Sequence, residues 1–269
     1  MVICSWLGWF VLVAVVGAGR VAGPAAVVAG QGVGGFELEF CLPGAGRRRE
    51  LLPVCAGERF EDAVPARPFR FGKGLASFAG WWYFATAGAH VGFESWLERD
   101  HLMLMDFDPD VRAVSSQPFW LRWRDGGGRS RRHAPDFFAR KADGTGVVVD
   151  VRPDDLVPER DAETFAVTAS ACEAVGWEYR RAGDLDPVLV ANVRWLSRYR
   201  HQRCLVPEVA SVLLEAFAGG RCLLEGAEMA GDRLRVLPVL FHLMWRRQLA
   251  ADLAVPLDMS AVVRAGAAR

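Results

Sequence analysis

The stretch from Arg131 to Arg152 restricts the fold more than any other part of the chain. Two strand-like runs, Arg131–Lys141 and Gly146–Arg152, flank the turn Ala142–Asp143–Gly144, and that pattern specifies an antiparallel hairpin. With the turn centred on Asp143, a residue at 143 minus n faces one at 143 plus n, so Asp136 lies opposite Asp150. A slip of one residue would change that facing. Directly opposed residues have Cβ atoms about 5 Å apart, so two carboxylates there repel unless a cation lies between them. Period two puts Arg152 on the same face as Asp150. Stability alone gives no reason to gather two carboxylates and a basic group at one end of a sheet. The bland alternative is that the aspartates form turns and Asp150-Val151-Arg152 makes a surface ion pair.

Oxygen ligands of this kind select a hard divalent ion, Mg2+ or Mn2+. A metal so held turns water into a nucleophile and neutralises charge on a phosphoryl group. A third carboxylate is expected from the helix read over Glu94–Phe107, which has good helix formers and no Gly or Pro. Glu98 is the choice, with Glu94 one turn earlier on the same face as the alternative.

Around this hairpin, Phe36–Cys41 reads as a strand, Pro43–Arg49 as a Gly/basic turn and Glu58–Pro68 as a linker. Gly80–Ala89, with Trp81, Trp82 and Tyr83, reads as a lid or outer strand, and base stacking by these rings is the poorer reading. Val111–Arg124 is one bent strand or two, interrupted at Pro118, and Asp125–Gly128 is a turn. Glu159–Gly176 and Pro187–Tyr199 are helices on either side of a strand at Trp177–Arg181. Helices flanking a sheet make this an α/β domain. After Arg203 three helices are expected, Pro207–Phe217, Leu223–Ala230 and Arg235–Leu249, then a small hairpin within Ala254–Val263. That is the outline of a winged helix-turn-helix. No internal repeat is present.

The 269 residues are 52% hydrophobic and 24% charged, which allows a sizeable core and excludes a disordered chain. Basic and acidic residues number 32 each, so any nucleic-acid contact must come from local patches. Lysine occurs only at Lys73 and Lys141; arginine supplies the other basic side chains. Six cysteines (Cys4, Cys41, Cys55, Cys172, Cys204, Cys222) show no CxxC pair, which suits a reducing cytoplasm and argues against zinc or a disulfide framework. Residues 1–35 are apolar and then rich in Ala, Gly and Val. The apolar run is shorter than the roughly 20 residues of a bilayer span and lacks a basic leader. It reads as a mis-assigned start, an anchor or a signal, the first being favoured, and no stable membrane association is expected.

The ordered blocks ESWLERDHLMLMDFDP, SQPFWL, HAPDFFAR and VVVDVRP, followed by GWEYR and NVRWLSRYR, resemble the TnsA-like endonuclease subunit of heteromeric transposases. The likeness covers about Phe69 to Arg203. It implies a restriction-endonuclease-like core of the PD-(D/E)xK kind over residues 69–203, preceded by a strand and linker over 36–68. A small helical, winged-helix-like segment would occupy 204–269. It further implies cleavage of double-stranded DNA at the 5′ ends of a transposon, alongside a DDE transposase and an AAA+ ATPase regulator. Carried over, the SxxE glutamate is Glu98, the PD aspartate is Asp136, and the DxK pair falls on Asp150 and Arg152. Here the chain departs from the pattern, because arginine stands where the family has lysine. Arginine keeps the charge but does not deprotonate, so it cannot act as a general base. Lys141 could reach in from the turn, although a solvated position is the simpler reading.

Arg129, Arg131 and Arg132 form a basic turn beside the site, suited to DNA phosphates. Arg198, within the run Arg194–Arg203, is a further DNA contact or part of a solvated face. His133 could touch a phosphate or move a proton, with a structural hydrogen bond as the plainer reading. His101 reads as a partly buried helix histidine and Gln117 as a strand residue near the site. Arg246 and Arg247 fall where a recognition helix would lie. The rival functions are a catalytically inactive assembly factor that binds DNA and transposase, and a stand-alone restriction or repair nuclease.

Overall fold

The computed structural model describes residues 35–69, 78–155 and 158–266, so the apolar N-terminal stretch read over residues 1–35 lies outside the described residues but for Gly35. The chain is mixed α/β, with several sheets and seven helices among the described residues. The central sheet has the order β10-β9-β8-β5. It is built from β5 (Val111–Ser116), β8 (Phe137–Lys141), β9 (Gly146–Val151) and β10 (Glu178–Ala182). Strands β5, β8 and β9 are antiparallel, whereas β9 and β10 run parallel. A parallel pair needs a crossover, and helix α3 (Glu159–Glu173) supplies it.

Alternation along β8 and β9 divides the core. Phe137, Ala139, Val147 and Val149 pack with Leu102 of helix α2 (Trp96–Phe107). Phe138 and Val148 turn the other way, onto Ala171 and Cys172 of α3 and onto a second sheet. That sheet has the order β2-β1-β6-β7, made from β1 (Glu37–Cys41), β2 (Arg47–Leu51), β6 (Phe119–Arg124) and β7 (Ser130–His133). Phe60 sits between the layers, fully buried, with its ring 5.0 Å from Phe40, 5.2 Å from Phe119 and 5.5 Å from Trp177.

Several expectations are corrected. The segment read as a turn over Pro43–Arg49 contains most of β2, whose charged sequence Arg-Arg-Arg-Glu-Leu hides an edge strand held by Arg49–Glu37 and Arg47–Glu39 pairs. The segment read as a linker carries Phe60, the central core aromatic. Val111–Arg124, read as one bent strand or two, is two strands in different sheets, parted at Gln117–Pro118. Arg131–Lys141 is likewise two strands, parted at Ala134–Pro135–Asp136. Proline lacks the ladder N–H, so both breaks fall where the chain leaves one sheet for the other. The aromatic segment at Gly80 forms a hairpin, β3 (Gly80–Phe84) with β4 (Ala89–Phe93), packed on α2.

In the C-terminal part, α4 (Pro187–Leu196) is followed by α5 (Pro207–Ala216), α6 (Leu223–Ala230) and α7 (Arg233–Trp245). A small sheet, β11-β13-β12, joins Arg221–Cys222, Val262–Ala265 and Leu249–Ala250. The expected local hairpin within Ala254–Val263 is instead this longer-range pairing. Helix α7 ends earlier than expected: Arg246 caps it and Arg247 turns left-handed, φ 60°. The guanidinium of Arg247 stacks 4.8 Å from the Phe107 ring, so it is a packing group rather than part of a helix face. No helix among the described residues is long and apolar enough to cross a membrane.

Candidate active site

The hairpin arithmetic holds in the folded chain. Phe137 faces Val149, Phe138 faces Val148 and Arg140 faces Gly146, a register centred on Asp143. Gly144, at φ 90°, supplies the turn conformation that a side chain would resist. One rung beyond Phe137, Asp136 meets the end of β9, where its Oδ2 accepts the Val151 amide at 2.7 Å. The two sheets exchange the chain at this point, since Gln117 N donates to Asp136 O at 2.9 Å.

Asp150 points from β9 toward the layer of α3 and is 2% exposed. Its Oδ1 pairs with His133 Nε2 at 2.8 Å, and its Oδ2 accepts the Tyr179 hydroxyl at 3.0 Å. His133 therefore brings the end of the second sheet to the carboxylate of the first. Burial, and then the charge and hydrogen bond of Asp150, push the Tyr179 hydroxyl far up, so it stays a donor. Tyr179 was not singled out from the sequence. Trp177 and Tyr179 alternate in a short strand, but only the parallel pairing Tyr179 with Val148 shows which carboxylate it reaches.

Glu98 projects from the first turn of α2, and the motif Ser95-x-x-Glu98 is a helix cap. Ser95 Oγ accepts Glu98 N at 3.1 Å, while Glu98 accepts Glu94 N at 2.7 Å and the Ser95 hydroxyl at 3.0 Å. Glu94, the alternative third carboxylate, lies outside the helix and pairs with Arg67 at 3.0 Å. Burial raises the Glu98 carboxyl, against the opposing pull of its two hydrogen bonds and of Arg152. Asp136 is shifted more strongly. Burial and the charges of Asp150 and Glu98 hold its carboxyl well above the usual value, against the Val151 amide and Arg152. Asp136 thus feels both Asp150 and Glu98. Among the described residues, however, no three His, Cys, Asp or Glu side chains form a ready-made metal cage.

The chain matches no family model and no curated protein.

Arg152 follows β9 and is half-exposed. Its Nε lies 3.6 Å from Asp161 of α3, and its charge reaches both Glu98 and Asp136. Lys141 does not reach the site. It pairs with Glu178 and sits at the far end of β8 from Asp136, a span of roughly 16 Å at about 3.3 Å per residue. Arg129 is exposed on the turn before β7; Arg131 pairs with Asp125 at 2.8 Å, and Arg132 lies over the Trp120 ring at 4.2 Å. Arg198 is exposed and stacks on Trp195 at 4.9 Å, past the end of α4. His101 is a buried helix histidine that donates to Gly183 O at 2.7 Å.

Proposed function

We propose that the chain is a metal-dependent DNA endonuclease subunit of a heteromeric transposase that cuts the 5′ ends of the element. The observation that carries this reading is the acidic cluster at the end of the β8–β9 hairpin, where Asp136 feels Asp150, Glu98 and the charge of Arg152. The order α2, antiparallel β5–β8–β9, α3, parallel β10 supports a restriction-endonuclease-like core. The order α5, β11, α6, α7, β12, β13 supports a winged-helix-like C-terminal part.

The residues suit a hard divalent cation by donor chemistry and by charge. Asp136 is a partly buried carboxylate with two acidic neighbours, a penalty that a dication beside it relieves. Glu98, Asp136 and Asp150 would hold Mg2+ or Mn2+. When bound, the ion activates water and neutralises charge on the phosphoryl group. The chain's own side chains account for the rest. His133 and Tyr179 fix the orientation of Asp150, as outer partners of a ligand do. Arg152 offers a fixed positive charge for the scissile phosphate but no general base. Arg129, Arg131 and Arg132 on the neighbouring turn, with Arg198, are basic groups for DNA phosphates. The same reading assigns a DDE transposase and an AAA+ ATPase as partners.

Asp136→Asn is expected to lower Mn2+-dependent cleavage of transposon-end DNA by at least about 10³-fold with the fold intact by circular dichroism. Full activity in that variant would remove the site from contention. A second reading, an inactive assembly factor, is favoured by Arg152 standing in the lysine position and leaning on Asp161. Activity that appears only in Arg152→Lys would favour it; cleavage by the wild type excludes it.

A further inference from the structure

We propose that Gln117 is a further oxygen donor of this site, its side-chain amide oxygen binding the divalent cation directly or through one water. The proposal rests on the cation-site reading above.

Gln117 is 2% exposed, and its Oε1 is buried with no hydrogen-bond partner. Among the described residues it is the one buried side-chain oxygen in that condition. Buried polar atoms are nearly always paired, and an exception calls for a reason. The backbone gives a second, independent sign. Gln117 has φ 48°, a left-handed conformation that glycine adopts at no steric cost. Strain of this kind collects where a side chain is held in place for function. The residue is pinned from both sides: its N–H donates to Asp136 O at 2.9 Å, and its carbonyl accepts Ala66 N at 2.8 Å.

Its place in the ladder links the two signs to the carboxylates. Ser116 faces Phe137, so the next rung sets Gln117 against Asp136. Both oxygens of Asp150 and both of Glu98 already accept protein donors, and Asp136 Oδ2 accepts Val151 N. The Gln117 oxygen has no such commitment. A neutral amide oxygen is an ordinary ligand for a hard cation, and it adds a donor without adding a fourth negative charge to an acidic cluster.

The test is thermal melting of the metal-free protein titrated with Mn2+, without DNA. Gln117→Met keeps the length and the backbone cost but removes the oxygen. Its Mn2+ affinity is expected to fall by about tenfold or more, while its metal-free melting temperature stays equal to or above the wild type. Gln117→Glu, which restores an oxygen, is expected to recover binding. Gln117→Gly, which relaxes the left-handed backbone, is expected to show the same loss of affinity as Gln117→Met. Wild-type Mn2+ affinity in Gln117→Met or in Gln117→Gly overturns the proposal. If the wild type and Asp136→Asn differ in Mn2+ response while Gln117→Met matches the wild type, the donor role alone fails. If the wild type does not respond to Mn2+, the cation site and the donor role fall together.

Discussion

Two buried histidines make the fold sensitive to acid. Burial lowers both His101 and His242 from the usual 6.5, although Gly183 O and Tyr199 O, which accept their ring N–H groups, pull the other way. Each ring is neutral in the folded chain and takes up a proton on unfolding. The folded chain therefore binds fewer protons between the two pKa values, and stability is complete above the unfolded value. It is lost as pH falls below about 6.5 toward the folded values. Around His101 the carboxylates of Asp100, Asp154 and Asp184 soften the effect; around His242, Arg246 and His201 deepen it. Melting temperature is expected to drop between about pH 7 and pH 5, and His242→Gln to flatten the drop. An unchanged slope in that variant would place the acid sensitivity elsewhere.

The same scale shows what the sequence discloses about single residues. Asp136 and Asp150 were legible because a hairpin register is arithmetic once its turn is known. Tyr179 and the free oxygen of Gln117 were not. One depends on a parallel strand brought in by a crossover, and the other on a backbone angle that local sequence does not display.

At the scale of the element, α2 carries two requirements on one side chain. Glu98 closes the cap with Ser95 and also contributes its charge to the cluster. Glutamine closes such a cap nearly as well as glutamate, whereas alanine does not. Glu98→Gln is therefore expected to keep stability within about 0.5 kcal/mol of the wild type while cleavage is lost. Glu98→Ala is expected to lose cleavage and also about 1 kcal/mol of stability. Chemical denaturation read beside a cleavage assay separates these, and a fully active Glu98→Gln would reduce Glu98 to a cap. Elements built from local pattern, such as α2, β9 and α3, were readable from the chain within a few residues. The split at Ala134–Pro135 was not, because a proline within a strand-like run reads as a bend, and at Gln117–Pro118 the sequence leaves one bent strand or two open. Here each break instead hands the chain to a different sheet. Strand β2 escaped for another reason: its arginines owe their place to Glu37 and Glu39 on the neighbouring strand.

For the whole molecule, the C-terminal helices do not stand apart. Met103 and Phe107 of α2 and Val190, Val193 and Leu196 of α4 share one buried cluster with α5, α6 and α7, and the Trp245 ring lies 5.2 Å from Phe107. The change in sequence character after Arg203 thus marks a change of layer within a continuous core. Trp245→Ala is expected to cost about 3–5 kcal/mol, a large share of the ~5–15 kcal/mol that holds a typical domain. Unfolding of the wild type in denaturant is expected to be a single transition that moves as a whole in the variant. Two separable transitions, with only one shifted, would contradict a shared core.

The central claim is that the carboxylate cluster cuts DNA at the 5′ ends of an element. Its most direct test is a transposition reaction with the partner transposase supplied, comparing the wild type with Asp136→Ala and mapping both donor-strand ends. The account predicts full excision with 5′ cuts by the wild type and only 3′ joining by the variant. Identical products from both would contradict it and leave the chain as an assembly factor.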